Sequence, residues 1–321
     1  MEDQVFGQND YRYRYVPGWP KLPEGRVMGD VAGVAVDAKD NVYLFSRDDH
    51  PISVFDPAGN YLRGWGEGVF ERPHAMHVGL DEALYCTDDT GSCVRKYSLD
   101  GKLLLTLGTP GKPKPFLCGD PFCRCCHTAL APNGDIYVAD GYGNARVHRF
   151  SPDGRLLKSW GGSGTAPGEF NIVHNITCDA DGWIYVADRE NHRVQVFDGN
   201  GRFETEWHNL FRPCGMFMAP GQTSPVAFIC EGRPEGAVNK RYPNIGGRIS
   251  ILGSYGKVIS RFGDGGEPTG PGIFMAPHGI AANSRGDIFI GEVANHSYKK
   301  FHKGEEPPVS LITVHKYERI L

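Results

Sequence analysis

Three histidines of this sequence lie at equivalent places in a repeated stretch, and together they have the composition of a metal site. His74 lies in "RPHAMHV", His174 in "IVHNIT" and His278 in "APHGIA", each where a short apolar strand is expected to begin. A lone histidine at a strand start is more often a buried polar group with a satisfied hydrogen bond. Three at equivalent places indicate a shared role, because imidazole is a common ligand of transition metals.

The stretch that carries these histidines recurs along the chain. Its unit is an apolar strand, an Asp- and Gly-containing turn, a strand resembling "IYVAD", a third resembling "RVQVF", and a fourth ending near "WG" or "FG". Six copies span residues 28–66, 67–108, 109–161, 162–207, 208–263 and 264–302. Four short strands in a period of about 40–50 residues predict an all-β fold, a six-bladed β-propeller. We expect residues 1–321 to form this single domain.

The sixth copy is incomplete when it is compared with the other five. No fourth strand follows "SYKKFH", whereas the N-terminal segment "DYRYRY" alternates in the way that a strand does. We therefore predict that residues 11–16 supply the outer strand of the last blade and close the ring.

In a propeller the first strand of each blade lines the central channel. The six residues at the equivalent position, here called the axial positions, are Ala32, His74, Cys126, His174, Cys214 and His278. The histidines fall on alternate blades, about 120° apart around a six-bladed ring. Three imidazoles that face one axis predict a trigonal metal site with an open position for water or substrate, as in catalytic zinc sites. Zinc is favoured, with iron, copper, manganese and nickel as alternatives.

The cysteines allow two interpretations. Cys126 and Cys214 occupy the other alternating set of axial positions, and we predict them to be small residues in the wall of a cavity. A second set of soft ligands is the alternative. The run "CGDPFCRCC", residues 118–126, is interpreted as a reactive or wall-lining loop. The remaining histidines considered are predicted to be surface or loop residues: His50, His77, His127, His148, His192 and His208.

Composition narrows the range of partners. The 321 residues are 40% hydrophobic and 22% charged, with a net charge of −4, which gives no reason to expect nucleic acid or an anionic membrane as partner. No apolar run reaches the roughly 18–20 residues of a membrane span, and no signal-peptide pattern opens the sequence. We therefore expect a cytoplasmic protein with mostly reduced thiols and a small-molecule substrate.

Polar residues follow the second strand of each copy and are candidates for a rim above the axial histidines. They are Arg47, Asp88, Asp89, Tyr142, Arg189, Arg233 and Glu292. Whether they reach the channel depends on the lengths of the strands.

The repeats resemble the NHL repeat, and the chain as a whole resembles the peptidyl-α-hydroxyglycine α-amidating lyases. The motifs "RPHAMHV", "VADGYGNARVHRFSP", "GEFNIVHN", "VADRENHRVQVF" and "MAPHGIA" carry this resemblance in the same order. It implies that His74, His174 and His278 bind catalytic zinc. It also implies that Tyr142 is the catalytic tyrosine and that Arg47 and Arg189 are active-site arginines.

Two positions depart from the pattern of that family. The family has an aspartate for a structural calcium directly after the third histidine, where this chain has Gly279, so calcium is in doubt. The family also joins the cysteine that corresponds to Cys123 to one after the catalytic tyrosine, where this chain has Gly143. The substrate of this chain therefore need not be that of the family.

Three functions follow as alternatives. The resemblance implies a zinc-dependent lyase that cleaves the C–N bond of a carbinolamide or a related 2-hydroxy compound. In it Tyr142 would take the hydroxyl proton, Arg47 would lower the pKa of Tyr142, and Arg189 would hold the substrate carboxylate. A lactonase-like metallo-hydrolase is the second possibility, because six-bladed propellers also host lactonases. A non-catalytic NHL scaffold is the third, although a scaffold has no use for three axial histidines.

Overall fold

Six antiparallel sheets form the blades of a β-propeller in a computed structural model that describes residues 4–219, 226–236, 238–239 and 242–320. The first strand of each of the six repeats lies innermost, and each of these strands contacts the innermost strands of both neighbouring blades. The contacts run all the way around the channel, so the ring is closed. The predicted six-bladed propeller is confirmed.

The first three blades have four strands each. Blade one consists of β3 (Val31–Val36), β4 (Val42–Ser46), β5 (Ile52–Phe55) and β6 (Tyr61–Trp65). Blade two consists of β7 (Pro73–Val78), β8 (Ala83–Asp88), β9 (Cys93–Ser98) and β10 (Leu103–Gly108). Blade three consists of β11 (His127–Leu130), β12 (Ile136–Asp140), β13 (Arg146–Phe150) and β14 (Leu156–Trp160).

The fourth and fifth blades repeat this arrangement. Blade four consists of β15 (Val173–Cys178), β16 (Ile184–Asp188), β17 (Arg193–Phe197) and β18 (Phe203–Trp207), with a 3₁₀ turn at Arg189–Asn191. Blade five consists of β19 (Pro213–Met218), β20 (Ala227–Glu231), β21 (Arg248–Leu252) and β22 (Val258–Phe262), with a 3₁₀ turn at Ser254–Gly256. A short parallel pair, β23 (Asp264–Gly265) and β24 (Ile273–Phe274), leads into the last blade.

The last blade joins the two ends of the chain. From the channel outwards it contains β25 (Pro277–Ala282), β26 (Ile288–Glu292), β27 (Val314–Ile320), β2 (Tyr11–Tyr15) and β1 (Val5–Gln8). The predicted closure by an N-terminal strand is confirmed, and a second N-terminal strand lies outside it. The interpretation of "SYKKFH" as the end of a strand was wrong, because Ala294–Phe301 form helix α1 and β27 takes the third place. The helix buries Ala294 and Tyr298, one turn apart, against Met275 and Leu311 of the segments that lead into β25 and β27.

The hydrophobic core lies between the blades. Each of six clusters of buried side chains is shared by two neighbouring blades, so that the second strands are apolar on both faces. Between blades five and six, for example, Phe228 and Ile249 pack with Ile288 and with Tyr13 of β2. No helix among the described residues is long and apolar enough to span a membrane.

An acidic side chain ends the second strand of blades two to six and accepts backbone N–H groups from the loop that enters the same blade. These residues are Asp88, Asp140, Asp188, Glu231 and Glu292, all at most 1% exposed. Asp88 and Glu292 were predicted as rim residues, but they point into the blade because the loop amides lack other partners. This recurrent acid explains the aspartate in each "VAD" motif.

Candidate active site

The three axial histidines meet at the centre of the channel. The ring centroids of His74, His174 and His278 form a nearly equilateral triangle with sides of 4.9, 4.7 and 4.9 Å. One nitrogen from each ring lies within 4.8 Å of those of the other two. His74 and His174 are at most 1% exposed and His278 is 7% exposed. The structure therefore brings together the three residues that the sequence predicted as ligands.

A β-bulge places each histidine. In the pairing of β7 with β8, Pro73 lies opposite Asp88 and Ala75 opposite Thr87, so His74 is the extra residue. His174 and His278 are the extra residues in the equivalent pairings of blades four and six. A bulge bends the strand and changes the direction of the side chain. Here it marks the residue that faces the axis.

Backbone carbonyl groups orient the three imidazoles. The Nδ1 atoms of the histidines lie 2.7–2.9 Å from carbonyl oxygens in the next blade, and the pairs are His74 with Cys126, His174 with Cys214, and His278 with Ala32. A carbonyl only accepts, so each Nδ1 carries the proton and each Nε2 keeps its lone pair. The three acceptors belong to the residues at the other three axial positions. The sequence had suggested roles only for the side chains at these positions, not for their carbonyl groups.

These imidazoles are held in the form that binds metal. Burial lowers the pKa of His278 to about 3, and burial also lowers the pKa values of His74 and His174 well below the usual range. Neutral rings with Nδ1 donating to a fixed acceptor are typical of metal-binding histidines. Three neutral nitrogen donors around one point therefore fit a divalent transition metal.

Tyr142 lies directly beside this cluster. Its hydroxyl oxygen is 3.2 Å from His74 Nε2 and 3.0 Å from His174 Nε2. Arg189 donates from Nη1 to the same oxygen at 3.3 Å, and the guanidinium of Arg124 lies 4.8 Å from the centre of the tyrosine ring. Burial raises the pKa of Tyr142, whereas the charges of Arg189 and Arg47 oppose that increase. The loop after β12 thus carries the predicted tyrosine to the three axial histidines.

A cavity of about 240 Å³ opens above His278 and Tyr142. Arg47 is one of its lining residues and donates from Nε to the carbonyl of Pro73 at 2.9 Å. Seven cationic side chains line the cavity, namely Arg47, Arg72, Arg124, Arg189, Arg212, Arg233 and Lys300. Such a wall favours an anionic ligand.

Four of these cations were not predicted from the sequence, although three of them share one position in the repeat. Arg72, Arg124 and Arg212 each precede an axial position by two residues, in copies two, three and five. Lys300 comes from α1, which sequence analysis had interpreted as a strand, so its side chain had no predicted direction. Asp89, another predicted rim residue, is buried and pairs with Arg72 and Arg124.

The two axial cysteines differ in their surroundings. Cys214 lines the cavity, as predicted, whereas Cys126 is completely buried and its side chain packs in the core between blades three and four. Their backbone carbonyls, as described above, accept hydrogen bonds from His174 and His74. Cys118, Cys123, Cys125 and Cys126 of the "CGDPFCRCC" loop are free thiols in the structure.

The two departures from the family pattern have visible consequences. A β-carbon at Gly279 would lie 2.8 Å from the backbone nitrogen of Val34, so the backbone fills the space that an aspartate would need. The residues present therefore do not fit the family's calcium site, which needs a carboxylate there. At Gly143 a β-carbon would collide with Cys123 Sγ, so this thiol lies where the family's disulfide would form.

Three of the remaining histidines are not surface or loop residues. His148 is buried on β13 between Asp140 and Ser159, and His127 is buried on β11 with Nδ1 2.9 Å from the carbonyl of Ile176. His77 is partly buried on β7 and stacks on a tyrosine. Their strands are covered by apolar residues on both faces. The alternation of buried and exposed residues that is typical of a sheet with one solvent face therefore does not hold for them. His50 and His208 are exposed side chains, and His192 lies in a loop.

Comparison with known proteins agrees with this architecture. The NHL repeat family matches residues 122–150 and 170–197. This chain contains NHL repeats. Its relatives include human NHL repeat-containing protein 3, with 38% identity over 234 residues, covering 69% of this chain and 65% of that protein. Peptidyl-alpha-hydroxyglycine alpha-amidating lyase 1 of Drosophila melanogaster is 28% identical over 343 residues, covering 93% of this chain and 61% of that protein.

The chain thus spans less than two thirds of the length of either relative. The resemblance to the amidating lyases is confirmed as a relationship between sequences. Among solved structures, a gluconolactonase of Xanthomonas campestris superposes with a TM-score of 0.61 at 12% identity, covering 95% of this chain and 89% of that one. At that identity the likeness concerns the fold alone.

Proposed function

We propose that this chain is a metal-dependent lyase that cleaves the C–N bond of a carbinolamide, R–CO–NH–CH(OH)–COO⁻. The products would be the amide R–CO–NH₂ and glyoxylate. The observation that carries the proposal is the convergence of three imidazoles, two of which contact one tyrosine hydroxyl through Nε2, beneath a cationic cavity. The relationship to amidating lyases supports this choice among the reactions that such a site could perform.

His74, His174 and His278 would hold the metal, for which we propose zinc. When bound, zinc supplies a Lewis acid that polarises an oxygen of the substrate and lowers the pKa of a hydroxyl group. The chain itself fixes the three ligands through their carbonyl partners and excludes other protonation states by burial.

Tyr142 would move the proton. Its hydroxyl lies beside the Nε2 atoms of His74 and His174, so as tyrosinate it could accept the proton of the substrate hydroxyl. The C–O bond becomes a carbonyl as the C–N bond breaks, and the electron pair of that bond leaves with nitrogen. The proton held by Tyr142 then passes to this nitrogen and completes the amide, so that no other reactant is required.

The contacts favour roles for the two predicted arginines that are the reverse of those implied by the resemblance. Arg189 contacts the Tyr142 hydroxyl and Glu190, which supports a role in stabilising the tyrosinate. Arg47 uses Nε for the carbonyl of Pro73 and has no ion pair within 4 Å among the described residues. Its two terminal amino groups therefore suit a bidentate contact with the substrate carboxylate.

The reaction is tested with α-hydroxyhippurate. Protein loaded with zinc should release glyoxylate, and protein treated with a chelator should not. Hydrolysis of a lactone such as δ-gluconolactone without glyoxylate release would instead identify a hydrolase. If neither compound reacts although the metal is bound, the lyase proposal is wrong for these substrates, and an NHL binding scaffold becomes the better description.

A further inference from the structure

The cavity carries more positive charge than one substrate carboxylate requires. Three carboxylates, Asp89, Glu190 and Glu235, form ion pairs with five of its seven cations. Arg47 and Arg233 have no ion pair within 4 Å among the described residues. Against these three carboxylates the seven cations leave four positive charges, and the other acids that act on Arg47 and Arg233, such as Asp30 and Glu267, form no ion pair with them within 4 Å.

Arg233 is held in place as a binding group would be. Its alkyl chain packs against Gly247 and Gly265. A β-carbon added at these glycines would lie 3.0 and 3.3 Å, respectively, from Arg233 Cγ. Its guanidinium lies 4.8 Å from the centre of the Phe301 ring, and Nη1 makes one long contact of 3.4 Å with the carbonyl of Gly266. A side chain that is already ordered loses little entropy when a ligand binds. Most of its donors are left for that ligand.

Helix α1 places a second cation on the same side and restricts the space. Its first turn is anchored on blade one, because Asp30 accepts the backbone N–H groups of Asn295 and His296. At its other end Lys300 pairs with Glu235. The helix thereby lies over the cavity, and a volume of about 240 Å³ is below the roughly 300–1,000 Å³ of common ligand sites. The cavity suits a short acyl group better than a peptide.

We propose that the substrate is a small dianion whose acyl group ends in a second carboxylate, recognised by Arg233 together with Lys300. This inference rests on the proposed function for the position of the first carboxylate near Arg47. The second carboxylate lies on the side of the cavity formed by blade five and α1. A succinyl-type acyl-hydroxyglycine is the kind of compound that meets these requirements.

Binding of unreactive analogues tests the charge preference without any need for turnover. N-succinylglycine and N-succinamoylglycine differ only in a terminal carboxylate or carboxamide, and neither carries the hydroxyl group of the substrate. Isothermal titration of zinc-loaded protein should show the dicarboxylate binding at least about tenfold more tightly, because charge-assisted hydrogen bonds are the stronger ones.

Arg233→Met should remove most of this preference while the carboxamide keeps its Kd, and Arg233→Lys should restore part of it. Lys300→Met should reduce the preference less, because Lys300 is shared with Glu235. The control is Arg202→Met, whose side chain is 81% exposed on blade four. Equal Kd values for the two analogues in the unaltered protein, or a preference that persists in Arg233→Met, would overturn the inference.

The two proposals fail separately. If N-succinylglycine is preferred but glyoxylate is not released from its hydroxylated form, the lyase proposal fails and the second-anion site stands. If glyoxylate is released equally well from α-hydroxyhippurate and from N-succinyl-α-hydroxyglycine, the lyase proposal stands and the second-anion site is wrong.

Discussion

Single hydrogen bonds determine what the axial histidines can do. Each Nδ1 donates to a carbonyl of the neighbouring blade, so each ring presents Nε2 to the axis. Either a flipped ring or the other tautomer would leave a buried carbonyl without its donor, at a cost of about 1–3 kcal/mol. The three imidazoles are thus preorganised by the backbone, and the residue types at Ala32, Cys126 and Cys214 matter less than their carbonyl groups.

Replacing His174 by alanine should remove most of the bound metal. Two imidazoles and water hold a divalent ion much more weakly than three imidazoles do. Metal content per chain, measured by mass spectrometry after dialysis, checks this expectation. His208→Ala is the matched control, since its side chain is 64% exposed. A full complement of metal in His174→Ala would show that the metal is bound elsewhere.

Tyr142→Phe should lower kcat for glyoxylate release by about 10²–10⁴-fold, the usual contribution of general acid–base catalysis. The substitution removes one oxygen atom and leaves the ring packed beside Arg124 and Arg189. Metal content should therefore not change. Tyr255→Phe, at a side chain that is 93% exposed, serves as control. Near-normal kcat in Tyr142→Phe would mean that another group accepts the proton.

Strand ends and loops are the elements that position the site. The acid at the end of each second strand holds the loop that enters its blade, and this loop leads directly into the axial residue. In blade four Asp188 accepts from the backbone of Asn171 at 2.7 Å and from Arg193 Nε at 2.8 Å. The position of His174 therefore depends on a side chain that never reaches the cavity.

Asp188→Ala should lower the free energy of unfolding by about 3 kcal/mol or more, because it leaves buried donors without an acceptor. Arg193 keeps its contact with Glu206, so we expect the lower end of the range for a broken buried ion pair. Urea unfolding followed by tryptophan fluorescence measures the change. Glu204→Ala, on the exposed strand β18, should leave the midpoint in place. Equal midpoints for the two variants would contradict the role of the acid.

At the scale of the whole molecule, the ring is closed by strands from both ends of the chain. In the last blade β2 pairs with β27 from Arg12 to Tyr15, and β1 pairs with β2. Phe6 and Tyr13 of these strands are buried in the core between blades five and six. Closure at one blade fixes the distance between all six axial positions, since each inner strand contacts both of its neighbours.

A variant that lacks residues 1–18 should unfold at a lower temperature or aggregate. It would expose the edge of β27 and remove Phe6 and Tyr13 from the core. Thermal unfolding and light scattering measure both outcomes. Val5→Ala is the control, because Val5 is 51% exposed on the outermost strand. Unchanged thermal stability of the truncated chain would mean that five complete blades and an open sixth blade are sufficient for a stable fold.

The sequence by itself determined the architecture and the shared place of the three histidines in the repeat. Strand length, turn residues and the repeat are local properties, and six copies reinforce one another, so the propeller and its N-terminal closure could be predicted. The histidines could be aligned because they share one place in the repeat. The same reasoning failed where a copy broke the pattern, because the segment that ends in "SYKKFH" was interpreted as the last strand of the sixth copy but belongs to helix α1.

Only the tertiary structure decided what surrounds the three histidines. The β-bulges, the carbonyl partners of Nδ1 and the convergence of Arg72, Arg124 and Arg212 depend on contacts between blades that are far apart in the chain. The burial of His127 and His148 has the same origin, since both faces of these strands are covered by neighbouring blades. A repeat specifies which residue occupies each place in a blade, whereas the direction of its side chain and its charge environment arise only when six blades pack around one axis.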